Sequence, residues 1–207
     1  FPGVSKAVQK LLPGIAVPEN QGCCGALHAH NGDSARGARM AERLGRRLPG
    51  AIITTAGGCA AHLAHHLGPD RVTEVSAYLV GQGYEAAGEV RVDGRRARVT
   101  LQDSCHLRNG LGVWKEPREL IARAGEYVEL PSAAACCGAA GSYAVLRPDD
   151  SARVLDRHLD EIEAADLDVI VVVNPGCYRQ LEQGLKRRRL RTRVQHIAEL
   201  LAAPSRG

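Results

Sequence analysis

The sequence predicts an α/β fold made of two tandem pseudo-repeated domains. Each is a small, mainly parallel sheet flanked by helices, with cysteines on loops at strand ends. Three observations carry this expectation. β-Branched runs such as AIITT (51–55) and VIVVV (169–173) alternate with helical patterns, as in α/β folds. Neither run alternates apolar with polar residues, which suits strands buried on both faces of a parallel sheet. The tripeptide Cys-Cys-Gly occurs at 23–25 and 136–138, and each copy opens the same succession of elements.

The first copy begins with a helix over SKAVQKLL (5–12) and a strand over GIAV (14–17). After CCGALHAHNGD come a helix over ARGARMAERLGRRL (35–48), the strand AIITT and AGGC, ending at Cys59. A short helix AAHLAHHL, a strand and a final helix within VTEVSAYLV (72–80) follow. The second copy opens with GEVRVDGRRARVTLQDSC (88–105), a hairpin around Asp93-Gly94 whose second strand runs toward Cys105. Then come HLRNG, a helix near PRELIARA and the strand YVEL. After Cys136 the order is a helix over SARVLDRHLDEIEAA, the strand LDVIVVV, NPGC ending at Cys177, the helix YRQLEQGL, and VQHIAELLA (194–202). Cys59 lies 36 residues after Cys23, and Cys177 lies 41 after Cys136. A short insertion in the second helical region accounts for the difference. The expected domains are 1–88 and 89–207. Cys105 precedes Cys136 by 31 residues, and the same offset from Cys23 falls about eight residues before Phe1. With no initiator Met, the first domain is expected to be N-terminally truncated.

Composition narrows the function classes. Aromatics are 3% of the chain and the net charge is +4, so nucleic-acid binding is not expected. No apolar run is long enough to span a membrane and no signal-peptide pattern appears. No G-x-G-x-x-G follows a strand and no Walker pattern occurs, which argues against a nucleotide site.

Seven cysteines, at 23, 24, 59, 105, 136, 137 and 177, are odd in number, and adjacent pairs make poor disulfides. Metal binding in a reducing cytoplasm is the preferred reading. Cys105, Cys136, Cys137 and Cys177 form a four-thiolate set; Cys23, Cys24 and Cys59 form an incomplete one. Four thiolates hold zinc or an iron–sulfur cluster. Adjacent cysteines diverge in either strand or helix, and a multi-iron group lets each find a different atom, which favours the cluster. Gly25, Gly58, Gly138 and Gly176 let the backbone approach sulfur, and helices starting just after Cys59 and Cys177 would aim positive ends at an anionic group.

His28, His30 and His106, beside the cysteines, are candidate outer-shell or substitute ligands; hydrogen-bonded loop histidines are the plainer reading. His62, His65 and His66 share a helix face but lack the Glu of an H-E-x-x-H site. Asp33 and Asp103 suit turns or caps better than acid–base catalysis. KRRRLRTR (186–193) suits a solvated face, or a docking patch for an acidic subunit or anionic lipid.

A leading Cys, a CCG and a last Cys near glycine resemble the cysteine-rich CCG domain family. That family occurs in tandem in heterodisulfide reductase subunits, lactate-utilisation proteins and glycolate oxidase iron–sulfur subunits. CCGALHAHNGD, DSCHLRNG, PREL, CCGAAGSY and NPGCYRQLEQGL are most similar to the last of these, over nearly the whole chain. The resemblance implies an oxidoreductase subunit in the cytoplasm that relays electrons from FAD-containing glycolate oxidase subunits toward a quinone-linked acceptor. It implies a [4Fe-4S] cluster as cofactor, with zinc as the alternative in one domain, and a ferredoxin-like domain before residue 1. Peripheral attachment to the inner membrane through 186–193 would fit that role. The fuller family pattern ends in CxxC, whose first position is Ala56 or Asn174 here, so heterodisulfide chemistry is the weaker reading. A zinc-stabilised scaffold that binds partner subunits is the non-enzymatic alternative.

Overall fold

A computed structural model describes residues 1–203. The first half runs α1 (Pro2–Leu11), α2 (Ala26–His30), α3 (Ser34–Arg47), β1 (Ile52–Thr54), α4 (Gly57–Leu67), β2 (Val72–Glu74) and α5 (Val75–Gly81). The second begins with the hairpin β3 (Arg91–Val92) and β4 (Arg95–Arg96), then β5 (Arg98–Leu101), α6 (Cys105–Leu111), α7 (Lys115–Ala124) and β6 (Glu126–Tyr127). It continues with α8 (Tyr143–Leu146), α9 (Pro148–Ala164), β7 (Val169–Val172), α10 (Pro175–Arg188), β8 (Arg193–His196) and α11 (Ile197–Ala202).

Local chemistry sets these boundaries. Asp33 caps α3 by accepting the Arg36 N–H at 3.1 Å, the usual service of an N-cap carboxylate. Pro148 starts α9 with Asp149 and Asp150 in its first turn, which complements the helix dipole. Asp93 and Gly94 both take positive φ, 50° and 79°, as a two-residue hairpin turn requires.

The second half carries a four-stranded parallel sheet in the order β6-β5-β7-β8, and β1 pairs β2 in parallel. All four residues of β7 are buried, so the VIVV run is apolar on both faces because helices cover both. Each such side chain contributes about 1.5–3 kcal/mol by leaving water. The expected strand at 14–17 does not form; Gly14 has φ 87° and the segment is a loop. Its counterpart β6 pairs only with β5, and the first half has no counterpart of β5 among the described residues. HLRNG, left without an assignment by pattern, lies in α6.

The halves interlock rather than sit side by side. Ala60, Val75 and Leu79 share one apolar cluster with Val99, Leu101, Leu120, Val171 and Ile197. Helix α1 packs on α11, and α5 packs on α7. The Gly57 N–H donates to the Val173 carbonyl at 3.0 Å, across the two units.

Glu74 and His196 end equivalent strands and cap the next helix, accepting the Ser76 N–H at 2.8 Å and the Ala198 N–H at 3.1 Å. Burial raises the Glu74 carboxyl to about 7, with a smaller push from Glu116. Burial holds the His196 imidazole down at about 4. The two act with opposite sign. A carboxyl raised on folding stabilises below its unfolded value, and that contribution is lost as pH climbs through the folded value. A depressed imidazole stabilises above its unfolded value and loses that contribution as pH falls. The two windows, about pH 4.5–7 for Glu74 and about pH 4–6.5 for His196, nearly coincide, so the two contributions largely offset each other in the wild type. Glu74→Gln should remove the Glu74 decline, on the order of 3 kcal/mol, and unmask a rise of stability with pH through the His196 window. Urea denaturation from pH 4 to 8 measures this; a variant whose stability follows the wild-type pH profile refutes it.

Candidate metal centre

The seven cysteines are free thiols: Cys23 and Cys136 exposed, Cys24, Cys137 and Cys177 buried, Cys59 and Cys105 in between. Each unit builds its group in the same way. The loop before α2 turns at Gly25 (φ 87°), and the loop before α8 turns at Gly138 (φ 87°). A side chain at either would strain the backbone. It would also collide, since a Cβ on Gly25 would lie 2.6 Å from the Gly37 carbonyl and one on Gly138 2.6 Å from that of Ser151. The doubled CCG is thus a sharp turn pressed against α3 in one unit and α9 in the other.

That turn aims the second cysteine of each pair at the last. Cys24 Sγ lies 2.9 Å from Cys59 Sγ, and Cys137 Sγ lies 3.1 Å from Cys177 Sγ. The first cysteine accepts a backbone N–H: Gly25 to Cys23 at 3.4 Å, Gly138 to Cys136 at 3.3 Å. Cys59 and Cys177 sit inside the first turn of α4 and α10, so these helices begin before their cysteines, not after as the sequence suggested. Both thiols therefore lie in a first helical turn, at the positive end of the helix dipole.

Cys105 opens α6. Gln102, buried at the end of β5, donates to the carbonyls of Ala133 (3.2 Å) and Ala135 (2.8 Å), tying that strand end to the loop entering Cys136. Burial and the charge of Cys136 raise the Cys105 thiol. The Cys24–Cys59 contact lowers the Cys24 thiol to about 6 and raises that of Cys59, as sharing one proton between two sulfurs demands. Cys137 is pushed up to about 12, its contact with Cys136 lowering it while Cys177 and burial raise it.

The halves meet at these groups. Asn174 Oδ1 accepts the Gly58 N–H at 3.2 Å, and its Nδ2 lies 3.9 Å from Cys177 Sγ. His30 and His106 stack with centroids 4.6 Å apart. Gly176 lets α10 start beside Ala139, 3.5 Å from where its Cβ would be. His28 is half-buried and uses its backbone carbonyl, to the Asp33 N–H at 2.9 Å.

Several expectations find different places. His62 Nε2 bonds the Gly37 carbonyl at 3.2 Å, just as Gln180 Nε2 bonds that of Ser151 at 3.2 Å. His62 is therefore a brace behind the CCG turn, and the 62–65–66 face gathers no metal site. In the basic run, Lys186 pairs with Glu182, while Arg187 and Arg188 pair with Asp156, Arg188 also with Asp160. Asp103 is no cap: it is buried and salt-bridged to Arg108 and Arg118. His158, missed by pattern, is buried between Ser132 Oγ (2.9 Å) and the Cys136 carbonyl (3.0 Å). Its signal was a histidine at an apolar register position of α9.

The donor set fits a thiolate-bound metal group: three sulfurs collected per unit, Cys105 near the second, and N–H donors turned to sulfur. Among the described residues no three His, Cys, Asp or Glu side chains converge on one point for a single ion. No helix among the described residues is long and apolar enough to cross a membrane.

Comparison with known proteins agrees with this architecture. Residues 1–64 and 99–182 match the cysteine-rich domain called CCG. The chain is 33% identical to the probable glycolate oxidase iron-sulfur subunit of Bacillus subtilis (strain 168), over 90% of this chain and 47% of that protein. It is 27% identical to lactate utilization protein A 2 of Bacillus cereus (strain Q1), over 98% of this chain and 92% of that protein. Lactate utilization protein A 1 of Bacillus anthracis (strain CDC 684 / NRRL 3495) is 26% identical over the same shares. The chain thus spans about half the length of the first relative and nearly all of the other two.

Proposed function

The chain belongs to the cysteine-rich CCG domain family, and from that premise we propose that it is an iron–sulfur electron-transfer subunit of a 2-hydroxy-acid oxidoreductase. Glycolate is the proposed substrate of the complex, oxidised on an FAD-containing partner chain, with electrons passing toward a quinone-linked acceptor. The observation that supports this best is the paired thiol groups, Cys23/Cys24/Cys59 and Cys136/Cys137/Cys177 with Cys105, built alike in two units. The units are taken as 1–88 and 89–207.

An iron–sulfur group, [4Fe-4S] in type, supplies reversible electron storage when bound. The chain's own residues hold and tune it. Cys105, Cys136, Cys137 and Cys177 attach it in the second unit, and the N–H groups of Gly138 and Asn174 stabilise negative charge on sulfur. Ala56 and Asn174 stand where heterodisulfide chemistry would need a further thiolate, which weighs against that reading. Arg189, Arg191 and Arg193 are exposed and are the members of the basic run open to an acidic subunit or anionic headgroup.

Anaerobic purification tests the proposal. A brown protein with several irons and acid-labile sulfides per chain is expected. A colourless protein carrying zinc alone would overturn it in favour of a scaffold.

A further inference from the structure

We propose that His30, although it belongs to the first unit, is a positioning residue for the second unit's thiolate set, acting on Cys105 through His106. The inference rests on the thiolate–metal reading above and adds a residue from the other half of the chain to that site.

His106 follows Cys105 directly, and its Nδ1 lies 3.6 Å from Cys105 Sγ. Its other nitrogen, Nε2, lies 3.1 Å from Nε2 of His30. Two neutral imidazoles at that distance share one proton between the facing nitrogens, one donating and one accepting. A metal-bound Cys105 is a thiolate and accepts only, so the nitrogen facing it must carry the proton. That puts the His106 proton on Nδ1, leaves His106 Nε2 as acceptor, and makes His30 Nε2–H the donor. His30 therefore fixes the His106 tautomer that donates to sulfur, as outer-shell partners do for metal-bound side chains.

Independent contacts hold His30 in place. Asn31, the next residue, is hydrogen-bonded by the Ser142 hydroxyl of the second unit. The two rings lie over the first turn of α4, where a Cβ on Gly58 would be 3.8 Å from His30 Cε1 and 4.0 Å from His106 Nδ1. Gly58 itself is fastened to Asn174. The imidazole pair is therefore part of the seam between units, not a chance surface contact of helix α2.

Two measurements on the full chain test this. Metal retention by the Cys105 set, read by chelator competition, is expected to fall about 10–100-fold in His30→Ala. It should return to near the wild-type value in His30→Gln, whose amide also donates, and stay unchanged in His28→Ala on the same helix. In the zinc-loaded wild type, long-range proton–nitrogen correlation spectra should show His106 protonated at Nδ1, and His30→Ala should lose that preference. Equal losses in His28→Ala and His30→Ala, or His106 protonated at Nε2 in the loaded wild type, overturn the inference while leaving the metal reading intact. A wild-type chain that takes up neither iron nor zinc overturns both.

Discussion

Cys137→Ser is expected to empty the second metal centre while leaving the chain folded. Cys137 is 3% exposed and its sulfur touches Cys177 at 3.1 Å, so it is the innermost of the four proposed ligands. A hydroxyl stays protonated where a thiol ionises, and metal attachment requires the deprotonated form. Structural zinc sites with four protein ligands bind with about 10–16 kcal/mol, and removing a central ligand forfeits a large share of any such attachment. Iron and sulfide per chain should drop by the content of one centre. The backbone has its own supports, since the Gly138 turn, the Ser151–Gly138 hydrogen bond at 2.9 Å and the Gln180 brace do not involve sulfur. Far-ultraviolet circular dichroism should therefore be unchanged. Full iron content in the variant would remove Cys137 from the ligand set.

Asp103→Ala should cost about 3–5 kcal/mol of folding stability. The carboxylate is 2% exposed and bonds Arg108 at 2.7 Å and Arg118 at 2.7 Å. Arg118 reaches on to Glu129 at 2.7 Å, so a single buried anion holds the ends of β5, α6 and α7 together. Truncating it strands a guanidinium that is 15% exposed without its inner partner. Because Cys105 lies two residues further on, the variant should also lose metal from the second centre. Guanidinium denaturation and metal analysis read the two effects. A loss below 1 kcal/mol would show that water replaces the carboxylate.

What the sequence disclosed follows from where the determinants lie. The hairpin at Asp93-Gly94 and the buried strand at 169–172 are local patterns, and both are found where expected. The repeat was legible because its CCG turn is fixed by glycine at one backbone position. The strand at 14–17 was misjudged because strand formation needs a neighbour, and apolar pattern does not report whether one exists. Asp103 looked like a turn residue because its partners stand 5 and 15 residues away. The contact of His30 with His106 spans 76 residues and joins two units that each looked self-contained. No local spacing encodes it. His62 went unassigned for the opposite reason: three histidines on one short helix draw attention to a metal face, which the missing Glu argued against, and its ring instead fills the place Gln180 takes in the other unit.

The exchange of helices between the units, α1 on α11 and α5 on α7, has the geometry of an isologous contact, in which each partner gives what it receives. The chain is laid out as a two-fold dimer whose subunits have been joined end to end. In a true dimer every substitution appears twice, and a change good for one side and bad for the other is blocked. Joining the copies lifts that restriction. Glu74 can stand opposite His196 and His62 opposite Gln180, each pair serving the same place with different chemistry. Duplication gave this protein two thiol groups, and fusion gave them licence to become unlike.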